Sequence, residues 1–329
     1  MAMSLPIHGG DLAAAERRWG KPEHNWLDLS TGLNPWPYAL PHLPAESWRR
    51  LPGEAEETAL RASAAGAYGC AVDQVLAGPG SSALIQAVAR SVSPRRVAVV
   101  SPTYGEHVAA WKAAGHAVSE VAIPADAAGA DVVVLVNPNN PDGRQFTVAE
   151  IQALSERFAL VVVDEAFADV APDLSVASHV GAGHVGSGLM VLRSFGKFYG
   201  LAGLRLGFCL AAPELLAAVA AQLGPWPVSG PALAIGAAAL SDRVWADASR
   251  AHLANAAGRL DAVLTKAGLH GLGGTSLFRL VEHPDAGNLY DRLGRAGILV
   301  RAFALRPTWL RFGLPGGEAP LRRLEQALT

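Results

Sequence analysis

Gly188-Leu189-Met190-Val191-Leu192-Arg193-Ser194-Phe195-Gly196-Lys197, followed by Leu201-Ala202-Gly203-Leu204-Arg205-Leu206-Gly207, is the stretch on which the reading of this chain turns. A short apolar β-run delivers one lysine into a glycine-rich, otherwise apolar neighbourhood, with arginines and a hydroxyl close by. Burial and nearby cations disfavour an ammonium, so a lysine held this way can lose its proton and form a Schiff base with an aldehyde. An isolated Ser-x-x-Lys is more often a surface lysine after a turn, so the decision rests on what surrounds it.

Working outward, runs of the same kind recur at Arg96–Val100, Asp131–Val136 and Leu160–Val163. Each is a continuous apolar run ended by polar, Gly or Pro residues, the pattern of strands buried on both faces of a parallel sheet. Between them lie helical segments at Ser82–Arg90, Tyr104–Ala114 and Val148–Phe158. This alternation is α/β, and such folds bind ligands beyond the carboxyl ends of their strands. Ala211–Leu223 reads as a helix broken by Gly224-Pro225-Trp226-Pro227, and a long helical stretch runs from about Pro231 to Ala267. Strand-like Ser276–Val281 and Ile298–Ala302 then suggest a smaller α+β unit. The first 50 residues, rich in Pro, Trp and Gly, read as an arm with little regular structure. The expected domains are an arm over 1–50, a large domain over 51–225 and a small one over 226–329.

The 329 residues are 50% hydrophobic and 17% charged with a net charge of -2, which fits a compact soluble enzyme and gives no reason to expect nucleic acid or a membrane as partner. Cys70 and Cys209 form no disulfide framework, and no His/Cys spacing suggests a metal site. Met1–Pro6 lacks the basic-then-apolar pattern of a signal peptide, and the apolar runs are too short to span a bilayer, so the expected location is the cytoplasm.

Three polar clusters sit at strand ends. Asp164, after Val161-Val162-Val163, is placed to hold a pyridine nitrogen protonated, or it is a helix N-cap or a surface acid after a strand. Asn137-Pro138-Asn139-Asn140-Pro141-Asp142-Gly143 reads as a strand-terminating turn, or as a loop that presents the Asn140 amide to a phenolic oxygen. Gly78-Pro79-Gly80-Ser81-Ser82 opens a helix, where free amides and the dipole suit a phosphate; Ser194 and Arg205 would complete that pocket. Tyr104 is either a ring that stacks on a cofactor or ordinary packing. In Trp309-Leu310-Arg311-Phe312-Gly313 an arginine lies in an apolar strand, matched either to a substrate carboxylate or to a structural salt bridge, and Arg301 is a weaker candidate of the same kind.

In this order the segments resemble the fold-type I pyridoxal phosphate enzymes, within them the class I/II aminotransferases, and most closely the histidinol-phosphate aminotransferase group. The resemblance implies a large domain with a mostly parallel seven-stranded sheet covered by helices, plus a smaller α+β domain. It implies that Lys197 carries pyridoxal 5'-phosphate as a Schiff base, that Asp164 contacts the ring nitrogen and that Asn140 contacts the phenolic oxygen. Gly80, Ser81, Ser82, Ser194 and Arg205 would hold the phosphate, Tyr104 would stack, and Arg311 would bind the substrate carboxylate. It also implies a homodimer.

His8-Gly9-Gly10-Asp11, Trp26–Pro35 and Pro102-Thr103-Tyr104-Gly105-Glu106-His107 resemble the branch of this family that decarboxylates L-threonine O-3-phosphate to (R)-1-amino-2-propanol O-2-phosphate in cobalamin biosynthesis. Phe167 stands where aminotransferases have tyrosine, Asp142 where they have threonine, and Leu51 where histidinol-phosphate aminotransferases send a tyrosine to the neighbouring subunit's phosphate. These departures favour decarboxylation over a histidinol-phosphate or related transamination. His8, Asn34 and Arg301 are candidates for the substrate phosphate, although a terminal histidine is as often simply solvated. A cofactor-free binding protein of the same fold is the third reading.

Overall fold

The computed structural model describes residues 8–181 and 188–329, so Met1–Pro6, read above as lacking a leader, lies outside the described residues apart from its continuation at His8. In chain order the strands are β1 (Leu27–Asp28), β2 (Val75–Gly78), β3 (Arg96–Val100), β4 (Ala117–Val121), β5 (Val132–Val136), β6 (Leu160–Asp164), β7 (Gly188–Ser194), β8 (Gly207–Leu210), β9 (His270–Thr275), β10 (Phe278–Glu282), β11 (Ile298–Leu299), β12 (Arg301–Phe303) and β13 (Arg306–Gly313). Contacts divide the chain into two units. One gathers the chain up to Trp36 with Pro141–Gly143 and Asp247–Thr329; the other gathers Pro37–Asn140 with Arg144–Ala246. The boundaries expected at residues 50 and 225 both fall inside the second unit.

The second unit is built on a seven-stranded sheet in the order β2-β8-β7-β6-β5-β3-β4. Every pairing is parallel except those of β8, which runs antiparallel to both β2 and β7. The apolar runs are here for the reason their composition suggests: all five residues of β5 and of β6 are buried. Each such Val or Leu contributes about 1.5–3 kcal/mol relative to exposure. Helices Ser81–Ser91, Glu106–Ala113 and Pro213–Leu223 cover one face through Leu84, Trp111, Leu216 and Val219. Edge strand β4, Ala117-Val118-Ser119-Glu120-Val121, is mostly accessible, and its charged, mixed character blunts an open edge.

Register sets the level at which the strands stop. Val136 pairs with Asp164 and Asp164 with Leu192, so β5 and β6 end side by side and β7 runs two residues further, to Ser194. The antiparallel β8 begins there too, because Gly207 pairs with both Ser194 and Gly78.

The first unit contains an antiparallel sheet in the order β12-β13-β10-β9 and a parallel pair β1-β11. Its opening segment is more regular than expected: Leu12–Trp19 is a helix, because Asp11 accepts from the Ala14 amide at 2.8 Å and caps it. The strand expected at 276–281 begins two residues later, after a turn, and is preceded by the glycine-rich β9. The glycines of β9 are required by a close approach. A Cβ on Gly273 would strike the Asp142 carbonyl, and one on Gly143 (φ +72°) would strike the Gly274 backbone. The long helical stretch is two helices, Gly230–Ser241 and Arg243–Lys266, separated at Asp242.

Arg96 and Asp131 join the entrances of β3 and β5. The Arg96 amide, Nε and Nη2 all donate to the Asp131 carboxylate at 3.0–3.3 Å. These bonds, the side-chain ones first, hold the Asp131 carboxyl down at about 2 against an ordinary 3.8. A carboxyl lowered on folding stabilises the fold above its ordinary value and loses that contribution as pH falls toward the folded value. Arg96→Ala is therefore expected to return the Asp131 carboxyl toward 3.8, read by carboxyl NMR titration; a midpoint still near 2 would contradict this assignment.

Candidate active site

The strand ends of the second unit bring together the residues singled out in its sequence. Asp164 closes β6, is 3% exposed, and accepts from the Ala166 amide on Oδ1 at 2.9 Å. Its Oδ2 lies 2.9 Å from Nε2 of His107, which is 1% exposed. A carboxylate only accepts, so His107 donates from Nε2. The His107 Nδ1 is buried and has no hydrogen-bond partner among the described residues. The sequence reading gave His107 no role. Its one signal is its nearness to Tyr104, which lies three residues earlier, just before helix Glu106–Ala113, and the two rings meet edge to face at 6.2 Å.

Lys197 lies on the one-turn helix Phe195–Phe198 that follows β7. Gly196 allows this turn, because a Cβ there would stand 2.6 Å from the Ala202 Cα. The Lys197 Nζ lies over the ring of Phe167, 5.7 Å from its centroid. The neighbouring Arg193 differs from the expectation of a cation that bears on the lysine. It is 3% exposed and turned into the protein, donating to Glu165 and Asp169. Coulomb attraction to these carboxylates raises its pKa against the opposing effect of burial, while burial pushes the Glu165 carboxyl up. A buried guanidinium persists only when paired, and here its charge is taken up locally.

Gly80 (φ +87°) immediately precedes helix Ser81–Ser91. A Cβ on Gly80 would meet Arg205 Nη2 at 2.9 Å, and one on Gly207 would meet the Ser81 amide nitrogen at 2.6 Å. Glycine at both positions lets the start of this helix, the Gly207 backbone and the Arg205 guanidinium approach one another, an arrangement of amides and a cation of the kind that suits an anion. Arg205 is itself in the left-handed region (φ 54°) and donates to the Ala202 carbonyl, which turns its side chain back over the loop. Ser194 ends β7 beside Gly207. The Tyr104 hydroxyl bonds to the Ser82 side chain; burial, its largest influence, raises its pKa.

Asn140 follows β5 in a loop held from within. Asn137 accepts from the Phe146 amide and donates to the Phe146 and Leu174 carbonyls, and Asn139 bridges Thr103 and the Pro102 carbonyl. The doubled Asn-Pro thus builds the loop with Asn137 and Asn139, which leaves Asn140 as the half-buried member.

The other four candidates belong to the first unit. Arg311 of β13 lies opposite Arg301 of β12. Arg311 is 7% exposed, donates to the Ser30 carbonyl at 2.9 Å and lies over the Phe278 ring. Burial first, and Arg301 second, press its pKa down to about 10, with Asp28 opposing. Like charges held together in this way favour an anion. His8 is exposed at the head of Gly9-Gly10, which lies against Ser30, with the Gly10 amide donating to Ser30 Oγ at 2.7 Å. Asn34 is buried and accepts from the Trp36 amide, a turn-forming bond.

The family profile described as aminotransferase class I and II matches residues 47–328. The chain is 48% identical to a threonine-phosphate decarboxylase of Sinorhizobium sp over 99% of each chain. It is 45% identical to a threonine-phosphate decarboxylase of Pseudomonas aeruginosa, over 98% of this chain and 96% of that one. Its fold is similar to that of a histidinol-phosphate aminotransferase from Sinorhizobium meliloti solved in complex with pyridoxal-5'-phosphate, with a TM-score of 0.82 at 22% identity over 100% of this chain and 97% of that one.

Gly207→Ala is expected to force apart β8 and the Gly80–Ser81 turn and to weaken pyridoxal phosphate affinity at least about tenfold, the scale of modest overpacking. Fluorescence titration would measure the affinity, with far-UV circular dichroism unchanged. Wild-type affinity would show that the cradle lies elsewhere.

Proposed function

Since the chain belongs to the class I and II aminotransferase family, we propose that it is a pyridoxal phosphate-dependent carboxy-lyase that converts L-threonine O-3-phosphate to (R)-1-amino-2-propanol O-2-phosphate. The observation that carries this reading is the near-identical length and 48% identity shared with a threonine-phosphate decarboxylase. Consumption of the product in making the cobalamin side chain follows from the same reading.

The residues present fit this cofactor. The glycine cradle suits its phosphate, and a buried carboxylate backed by an imidazole suits a protonated ring nitrogen. When bound, the cofactor supplies an electron-accepting ring conjugated to the substrate amine. Lys197 would hold its aldehyde carbon until the substrate amine takes that place. Asp164, oriented by His107, would keep a proton on the ring nitrogen. Gly80, Ser81, Ser82, Ser194 and Arg205 would bind the phosphate, Asn140 would donate to the phenolic oxygen, and Tyr104 would lie against the ring. Phe167, having no hydroxyl, adds no second donor to that oxygen.

The substrate carries two anionic groups, a carboxylate and a phosphate, and the opposed Arg301 and Arg311 supply two cations. Arg311 would bind the carboxylate. Arg301, with His8 and Asn34, would bind the substrate phosphate. The chain would work as a homodimer in the cytoplasm. Exposed Leu40, Trp48 and Leu51 offer apolar surface for a second copy, which sedimentation analysis would reveal as a dimer. Among the described residues no helix is long and apolar enough to cross a membrane.

Incubation with threonine phosphate is expected to release carbon dioxide and the amino alcohol phosphate without any keto acid. Product formation that requires a keto acid, with no carbon dioxide, would overturn the reading. Lys197→Ala is expected to abolish turnover and the lysine-dependent absorbance band of the bound cofactor. Arg311→Met should lower kcat/KM by about two orders of magnitude or more, since it removes a buried charged partner of the carboxylate. An Arg311→Met enzyme with wild-type kcat/KM would refute that assignment.

A further inference from the structure

Glu165 and Asp169 reach the same guanidinium. Arg193 Nη1 donates to Glu165 Oε2 at 2.7 Å and Nη2 to Asp169 Oδ1 at 2.5 Å. Glu165 also accepts from Ser175 Oγ at 2.6 Å and the Val176 amide at 2.7 Å. The turn after Asp164 is therefore stapled to β7, and Phe167 stands between the two carboxylates in sequence. The Phe167 ring is 3% exposed, and the Lys197 Nζ lies 5.7 Å from its centroid. Arg193 and Lys197 belong to one strand end and the short helix that follows it, so a single anchor sets both the amine and the ring beneath it. An aromatic face attracts an ammonium at this distance and has no such preference for a neutral amine.

We propose that Phe167 is a positioning residue whose ring face receives the protonated amine of Lys197 once substrate has displaced it, so that this amine returns the proton that replaces carbon dioxide at Cα. This rests on the decarboxylase reading for its chemistry and on the contact alone for its geometry. The bond from Cα to the carboxylate breaks and leaves its electron pair with the substrate. Lys197 Nζ gives one proton to Cα and becomes a neutral amine, able to displace the product. The proton consumed in each turnover is replaced from water. Among the described residues, the other charged and titratable groups at these strand ends include Asp164 on β6, Tyr104, Glu106 and His107 after β3, and Arg205 before β8, while the Arg193 charge is occupied by Glu165 and Asp169. A tyrosine in place of Phe167 would keep the face and add a hydroxyl.

The lysines of the chain are Lys21, Lys112, Lys197 and Lys266, few enough to resolve by NMR after reductive methylation of the apoprotein with 13C-formaldehyde. Phe167→Leu and Phe167→Met keep an apolar side chain without a ring. Both are expected to lower the Lys197 titration midpoint by about half a pH unit, and Phe167→Tyr to preserve it. In the holoenzyme the basic limb of the kcat profile with threonine phosphate should move down by the same amount, with KM changed less than kcat. An unchanged Lys197 midpoint in both ringless variants overturns the proposal. A shifted midpoint with an unmoved basic limb overturns the proton-donor role. Failure of the wild-type protein to release carbon dioxide would refute the proposed function, whereas the apoprotein titration judges the contact between amine and ring on its own.

Discussion

A guanidinium 3% exposed in the middle of a protein must be matched by carboxylates, and the pairing of Arg193 with Glu165 and Asp169 organises what surrounds it. Breaking such a buried pair costs about 3–5 kcal/mol, enough to give the turn after β6 a single shape. That shape presents Asp164 to His107 on one side and Phe167 to Lys197 on the other. Parallel register then does the rest: β5 and β6 stop at one level and β7 two residues beyond it, so side chains far apart in sequence emerge close together.

The second constraint is the absence of side chains. Gly207 starts the antiparallel β8 between Ser194 and Gly78, close enough to the Ser81 amide that no Cβ fits. The helix N-terminus and the lysine strand are thus brought near each other by a backbone contact. The positive end of a helix and one guanidinium can then serve the same anion.

Strands β3, β5, β6 and β7 were legible because burial on both faces leaves an unbroken apolar run. The edge strand β4, with Ser119 and Glu120, and the glycine-rich β9 carry no such run, since one faces solvent and the other is shaped by a neighbouring loop. Helix Leu12–Trp19 was hidden by the Pro- and Trp-rich segment that surrounds it, although Asp11 was a readable cap. Asp164, Asn140 and Lys197 stood out because their motifs are local. His107 did not, because its meaning depends on a partner 57 residues away. Arg193 was legible as a cation but not as a neutralised one, for its carboxylates lie on a different strand end. The position of the units' boundary was equally invisible, since the segment Pro141–Gly143 is assigned by its backbone packing and not by its composition.

That packing of Gly143 against Gly274, and of Gly273 against the Asp142 carbonyl, has a consequence for how this sequence can drift over generations. A clash between two side chains can be relieved by a new rotamer or a compensating change in the partner. A clash of backbone with backbone has no such remedy. Gly143 and Gly273 are therefore locked by the Gly274 and Asp142 backbones, Gly274 in turn by the Phe278 carbonyl, and change at any of the three must come through the backbone.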